Sequence, residues 1–249
     1  MRIIISPAKK MIVDTDSFPP EGLPAFLPRT ERLLSALRSM SPAALQALWK
    51  CNDAIAALNV ERLAAMDLNR SLTPAILSYE GIQYRYMAPT VFEQSQLDYI
   101  RDRLRILSGF YGLLRPFDGV TPYRLEMQAK LAVDGCRDLY AFWGGTLAEA
   151  LAAETELVVN LASKEYSKAV EPYLPASVRF LTCTFGEEKG GKILEKGTAC
   201  KMARGQMVRW MAEHGADRAE DLRNFDGLGY AFSPAHSTES NFVFLKGET

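Results

Sequence analysis

The sequence predicts a mixed α/β protein: a central mixed sheet surrounded by helices, in one compact domain spanning 1–249. Three observations point there. A β-branched run, "RIII", occupies residues 2–5. The second half alternates strand-like and helix-like segments with no repeat period. Apolar residues are 48% and charged residues 24% of the chain, a balance that argues against disorder and for a buried core.

Taken in order, "RIIIS" reads as a buried strand with a polar stop, followed by the loop "PAKK". The "FPPEGLPAFLP" segment from Phe18 to Pro28 is too rich in proline for regular structure. Its Phe18, Leu23, Phe26 and Leu27 still need apolar cover. Ser41 followed by Pro42 signals a helix start, and another helix begins at Asn52. "SYEGIQYRYM" fits either a bulged strand or a turn. In "SQLDYIRDRLRIL" the spacing of Leu97, Ile100, Leu104 and Leu107 predicts one helix with a single apolar stripe. "DLYAFWGGTLAEALAAE" reads as a helix with a weak point at Gly144 and Gly145.

Further on, "ELVVNL" predicts a strand, "SKEYSKAV" a helix capped by Ser163, and "VRFLTCTF" another strand. "EEKGGKI" is a hairpin-type turn, "TACKMARGQMVRWMAEHG" a helix ending at Gly215, and "NFVFLK" a closing strand.

Several function classes are poorly supplied. Net charge is −1, so any polyanion site must be a local cluster rather than a global field. Cys51, Cys136, Cys183 and Cys200 show no metal or redox spacing and read as buried thiols. With His214 and His236 as the only histidines, a Ser-His-Asp triad or two-histidine metal site has little raw material. No metal or other cofactor is expected. The apolar run at the N-terminus is too short for a signal peptide or membrane span, so a cytoplasmic protein is expected.

Two segments concentrate cations: 192–210 carries five Lys or Arg against one acid, and 101–124 carries five against two. Within "ILSGFYGLLRPFDGVTPYRLEM", Leu107, Ser108, Gly109 and Gly112 suggest a helix-hairpin-helix-like turn whose backbone amides face a DNA phosphate. Two residues, Phe110 and Tyr111, stand between the glycines where one is usual. A Gly109 helix cap followed by a packed aromatic turn fits the same letters. "PYRLEM" alternates like a strand, with Arg124 and Glu126 sharing one face. That pair is a surface salt bridge or, in a cleft, an anion clamp with an acid or base. Mid-helix Gly205 implies close approach of another element, with Lys201 and Arg204 on a neighbouring face. Lys9, Lys164 and Lys168 follow strand ends, where ligands bind in open α/β sheets.

These motifs occur together in a recognisable order. "SPAK", "LSGFYGLLRP", "PYRLEM", "LYAFWG", "VVNLASKEYSKAV", "KMARGQM" and "GYAF…NFVF" resemble the YaaA family of peroxide-stress proteins from the first strand to the last. The resemblance implies a single-domain fold with a positively charged cleft and a helix-hairpin-helix element. It implies non-sequence-specific binding of double-stranded or branched DNA, and protection against hydrogen peroxide through limiting free iron and DNA oxidation. It implies no established catalysed reaction. The hairpin maps onto Leu107, Ser108, Gly109 and Gly112, and the basic cleft onto Lys9, Arg115, Arg124, Lys164, Lys168, Lys201 and Arg204. Gln128 stands where "PYRLEM" is commonly followed by Gly. An alternative expectation is an enzyme for an anionic or nucleotide-like small molecule. There Glu126 would act as acid or base, Lys9 and Arg124 as anion clamps, and Ser6 would complete the set.

Overall fold

A computed structural model describes residues 1–247. The main sheet has eight strands: β1 (Arg2–Ile5), β2 (Leu104–Ser108), β3 (Gly112–Leu114), β4 (Leu157–Leu161), β5 (Arg179–Lys189), β6 (Lys192–Leu194), β7 (Tyr230–Phe232) and β8 (Asn241–Lys246). Their order is β7-β8-β5-β4-β1-β2-β3, with β6 folded back on β5. The five central strands β2, β1, β4, β5 and β8 are mutually parallel, while β3, β6 and β7 run antiparallel to their neighbours. Parallel strands covered on both faces need continuous apolar runs. Ile3, Ile4 and Ile5 meet that demand and are completely buried.

Helices pack around this sheet, the longest being Gly197–His214. Several ends follow the expected local chemistry. Ser41 Oγ accepts the Ala44 N–H at 3.3 Å, and Asn52 Oδ1 accepts that of Ile55 at 3.0 Å. The last helix closes at Gly215 with φ of 60°, the left-handed conformation that glycine adopts without a Cβ clash. Gly190 and Gly191, both at positive φ, turn the β5–β6 hairpin. The segment Leu139–Ala152 breaks into two helices at Gly144 and Gly145.

Other segments depart from expectation. "SYEGIQYRYM" is mostly helix: Tyr79–Glu80 makes a short bridge to Lys10–Met11, and Ile82–Met87 is helical. The helix beginning at Gln94 stops at Arg103, and its expected last turn is strand β2. Leu104 pairs in register with Ile3 of β1, and all five β2 residues are buried. An apolar stripe at three- and four-residue spacing runs on into a strand buried on both faces, so periodicity alone could not mark the boundary.

The same pairing replaces the helix-hairpin-helix. After β2 the chain turns through Gly109, Phe110 and Tyr111 and returns as β3, with Ser108 opposite Gly112. No helix leaves this turn. Its amides are already used: Ser108 Oγ accepts the N–H of Phe110 at 3.1 Å and of Tyr111 at 2.8 Å. Gly112 has φ of 78°, and a Cβ there would lie 2.8 Å from the Trp143 ring. Leu107, Ser108, Gly109 and Gly112 are all buried.

The four cysteines are free thiols; Cys183 and Cys200 are buried and Cys51 and Cys136 half-buried. Burial pushes the Cys183 thiol up to about 12. No helix among the described residues is long and apolar enough to cross a membrane.

Candidate functional site

β1 is flanked by β2 on one side and β4 on the other, so chain order reverses there. The crevice beyond the carboxyl ends of strands at such a reversal is the usual binding place in open α/β sheets. A cleft of about 400 Å³ occupies this position. Ser6 to Lys10, just after β1, form one wall, and Ser163, Glu165 and Tyr166, just after β4, form another. Glu80 to Tyr84, Tyr123 to Glu126, and Lys201 with Arg204 complete the lining.

Each wall is held for a physical reason. Ser163 N–H donates to Ser6 Oγ at 2.8 Å, and the two hydroxyls lie 3.2 Å apart. Ser163 therefore occupies the N-cap position of the short Lys164–Ser167 helix without capping it through its side chain. Tyr84 OH donates to the Ser6 carbonyl at 3.0 Å, tying the first loop to the Ile82–Met87 helix. Gly205 brings the long helix onto that same helix: a Cβ there would lie 2.1 Å from the Gln83 carbonyl oxygen. The expected close approach at Gly205 thus brings the helix that carries Lys201 and Arg204 to the cleft, which Gln83 also lines.

The Tyr123–Glu126 wall leans on the buried hairpin. A Cβ on Gly109 would fall 2.6 Å from the Leu125 carbonyl oxygen. Tyr123 OH pairs with Ser108 Oγ at 2.6 Å and Tyr79 OH at 2.8 Å, and its ring stacks on Phe110 with centroids 5.0 Å apart. The segment is irregular rather than a strand, yet the expected alternation holds. Tyr123, Leu125 and Met127 are buried, and Arg124 and Glu126 turn toward the cleft.

Glu126 accepts from Lys9 Nζ at 2.9 Å and has the Arg124 guanidinium at 3.7 Å. Arg124 and Arg204 have side chains 11% and 15% exposed, and neither Nε has an acceptor among the described residues. Lys10 pairs with Glu80 at 2.7 Å. The Glu165 carboxyl is shifted above its ordinary range, chiefly by burial and further by Glu126; Lys9 and the Gln128 N–H oppose the shift. That N–H lies 3.2 Å from Glu165 Oε1. Gln128 therefore holds the Glu165 carboxyl through its backbone.

Of the expected residues, Ser6, Lys9, Arg124, Glu126, Lys201 and Arg204 meet in this cleft. Arg115, Lys164 and Lys168 do not line it. Arg115 is exposed in the turn after β3, where its N–H donates to Asp118 Oδ2 at 2.8 Å. Lys168 Nζ sits 5.5 Å from the Tyr140 ring. The strand-end rule found the right segment after β4 but the wrong face of it. Lys164 and Lys168 are one helical turn apart and share a face, while the cleft takes Ser163, Glu165 and Tyr166. Glu165 itself was missed, because its partners come from distant segments: the Tyr140 OH, which donates to its carbonyl, is 25 positions away and the Gln128 N–H 37.

Among the described residues, no group of three or more His, Cys, Asp or Glu side chains comes together as a metal centre would need. The cleft instead offers hydroxyls, three carboxylates of which Glu126 and Glu165 have unlike surroundings, and cations, a set suited to holding an anion and moving a proton.

The profile of the family described as "Peroxide stress protein YaaA" matches residues 1–236. The chain is 54% identical over 249 residues to a UPF0246 protein of Lachnoclostridium phytofermentans, covering 100% of this chain and 98% of that protein. A UPF0246 protein of Agathobacter rectalis is 51% identical over 244 residues, covering 98% of each chain. One of Pediococcus pentosaceus is 50% identical over 248 residues, covering 100% of this chain and 99% of its own.

Proposed function

This chain belongs to the peroxide stress protein YaaA family, and from that premise we propose that its part in peroxide stress is carried by the cleft, which binds a small anionic or nucleotide-like molecule and performs acid–base chemistry on it. One observation carries the proposal. Ser6 and Lys9 from one loop, Arg124 and Glu126 from another, and Lys201 and Arg204 from a helix all line a single concavity. A protein that gripped only a polymer backbone would not need these groups gathered around one concavity, because phosphate contacts tolerate scattered surface cations.

In this scheme Arg124 and Arg204 orient the anion, since a guanidinium fork matches carboxylate or phosphate oxygens in two bonds. Glu126, held by Lys9, takes a proton from the bound molecule. Glu165, whose burial favours its protonated form, returns one. Pairs of carboxyls in unlike environments divide the acid and base roles in this way.

Cells lacking this gene and complemented with Glu126→Gln or Arg124→Gln should lose survival under hydrogen peroxide, while Arg115→Ala restores it fully. Full rescue by Glu126→Gln at normal protein levels would remove the cleft from the function.

A second proposal has one observation in its favour: Lys9, Lys10, Lys164 and Lys201 are exposed on segments that form or adjoin the cleft walls. Under it, these cations bind double-stranded or branched DNA without sequence preference and limit its oxidation when free iron is present. Counterion release would then weaken binding by orders of magnitude between roughly 50 and 200 mM salt. Fluorescence anisotropy with a labelled duplex and a four-way junction tests this. Salt-insensitive binding, or none, sinks it.

A further inference from the structure

We propose that the ligand of the cleft is a phosphomonoester dianion, held between Arg124 and Arg204. The inference rests on the anion-cleft proposal above and narrows it to one charge state and one chemical group.

The starting point is how the charges in the cleft are partnered. Lys9 and Glu126 neutralise one another at 2.9 Å, and Lys10 and Glu80 do so at 2.7 Å. Arg124, Arg204 and Lys201 remain, opposed by Glu165. The closest carboxylate contact of Arg124 is 3.7 Å, to a Glu126 already bound by Lys9. That of Arg204 is 4.0 Å, to Glu195 outside the cleft lining. Neither distance is a hydrogen bond. Each guanidinium also keeps an Nε–H without an acceptor among the described residues. Buried donors normally find partners, and those of a charged group are the most costly to leave unmet.

Two positive charges are thus left without a close counter-charge in a recessed site. Burial of Glu165 favours its neutral form and widens that imbalance. A monocarboxylate or an internal phosphodiester brings a single negative charge and leaves one arginine uncompensated, which is unfavourable away from water. A phosphomonoester brings close to two charges at neutral pH and three terminal oxygens, enough for both forks. Its free end can enter a recess, whereas the phosphates inside a strand are flanked by sugar on both sides. The tyrosines at the cleft wall, Tyr84, Tyr123 and Tyr166, give an organic substituent an apolar surface beside the charged end.

Isothermal titration of the full chain with phenyl phosphate, methyl phenyl phosphate and benzoate, at equal ionic strength and about pH 8, tests the charge state. Phenyl phosphate should bind about tenfold or more tightly than either monoanion. Arg124→Gln and Arg204→Gln should each remove about tenfold of the phenyl phosphate affinity while barely changing the monoanions. Arg124→Lys and Arg204→Lys keep the charge but lose the fork, and should fall between wild type and Gln. They serve as the folded reference should a Gln variant unfold. Equal affinity for all three probes overturns the dianion while leaving an anion cleft. Absence of binding by all three, with peroxide rescue intact in Glu126→Gln, overturns the cleft proposal as well.

A nucleoside 5′-monophosphate set against oligonucleotides with 5′-phosphate and 5′-hydroxyl ends then identifies the carrier. Tight binding of the mononucleotide alone assigns a free metabolite. Comparable gain from the 5′-phosphate of the oligonucleotide assigns a strand terminus.

Discussion

The stretch from Leu107 to Glu126 contains two regions that the sequence marks alike as candidate anion contacts and that do opposite things. The first, Leu107 to Gly112, puts glycines and aromatics in a turn whose amides point back into the protein. The second, Tyr123 to Glu126, has no glycine and opens on the cleft. They are joined where Gly109 admits the Leu125 carbonyl at a distance no side chain would permit. The glycines that suggested an approaching phosphate make room for the protein's own backbone. Close approach is what glycine allows; the identity of the approaching group is set by tertiary structure.

If the hairpin is scaffold and the neighbouring wall is working surface, perturbing them should have separable effects. Gly109→Ala should have the largest effect, destabilising by about 3 kcal/mol because the obstacle is rigid backbone. Urea denaturation reads it directly, and an unmoved midpoint would mean that the two regions are not braced together. Arg124→Gln and Glu126→Gln should alter stability by only about 1 kcal/mol or less, their ion pairs being long or partly exposed, yet lose peroxide protection. A collapse of stability in either would make the cleft wall structural after all.

The next effect is pH-dependent. Burial raises the Asp118 carboxyl from 3.8 to about 6, against the pull of the Arg115 N–H and of the Arg115 and Arg105 charges. The folded state therefore binds this proton more tightly than the unfolded state. The associated stabilisation is complete below 3.8 and is lost as pH rises through about 6. Asp118→Asn should flatten the stability profile across that window and leave the rest of it unchanged, as followed by thermal unfolding. An unaltered profile would show that the turn after β3 is wetter than its packing indicates. Smallest of all, Arg115→Ala and Lys168→Ala should stay within about 0.5 kcal/mol, since both side chains are exposed. A clear loss of DNA affinity in either would extend the working surface beyond the cleft.

What was legible in the sequence follows the range of the forces involved. Caps at Ser41, Asn52 and Gly215, the Gly190–Gly191 turn and the break at Gly144 are local, and each was found. The buried β1 strand was found because its apolar run is continuous. Strand β2 was not, because its parallel partner β1 lies about a hundred residues upstream and its letters continue a helical stripe. The site divides in the same way. Arg124 and Glu126 came from a two-residue alternation, and Lys201 and Arg204 from a helix face beside a misplaced glycine. Glu165 carries no local mark, and the Ser163 hydroxyl lies beside Ser6 Oγ across 157 positions rather than capping its own helix.

The junction of Gly205 with the Gln83 carbonyl has a consequence for biosynthesis. One side of the cleft arrives with residue 6 and the other with residue 204, so a ribosome must release most of the chain before any binding surface exists. A nascent or prematurely terminated chain ending before this helix would carry the Lys9–Glu126 half of the cleft without its opposing arginine.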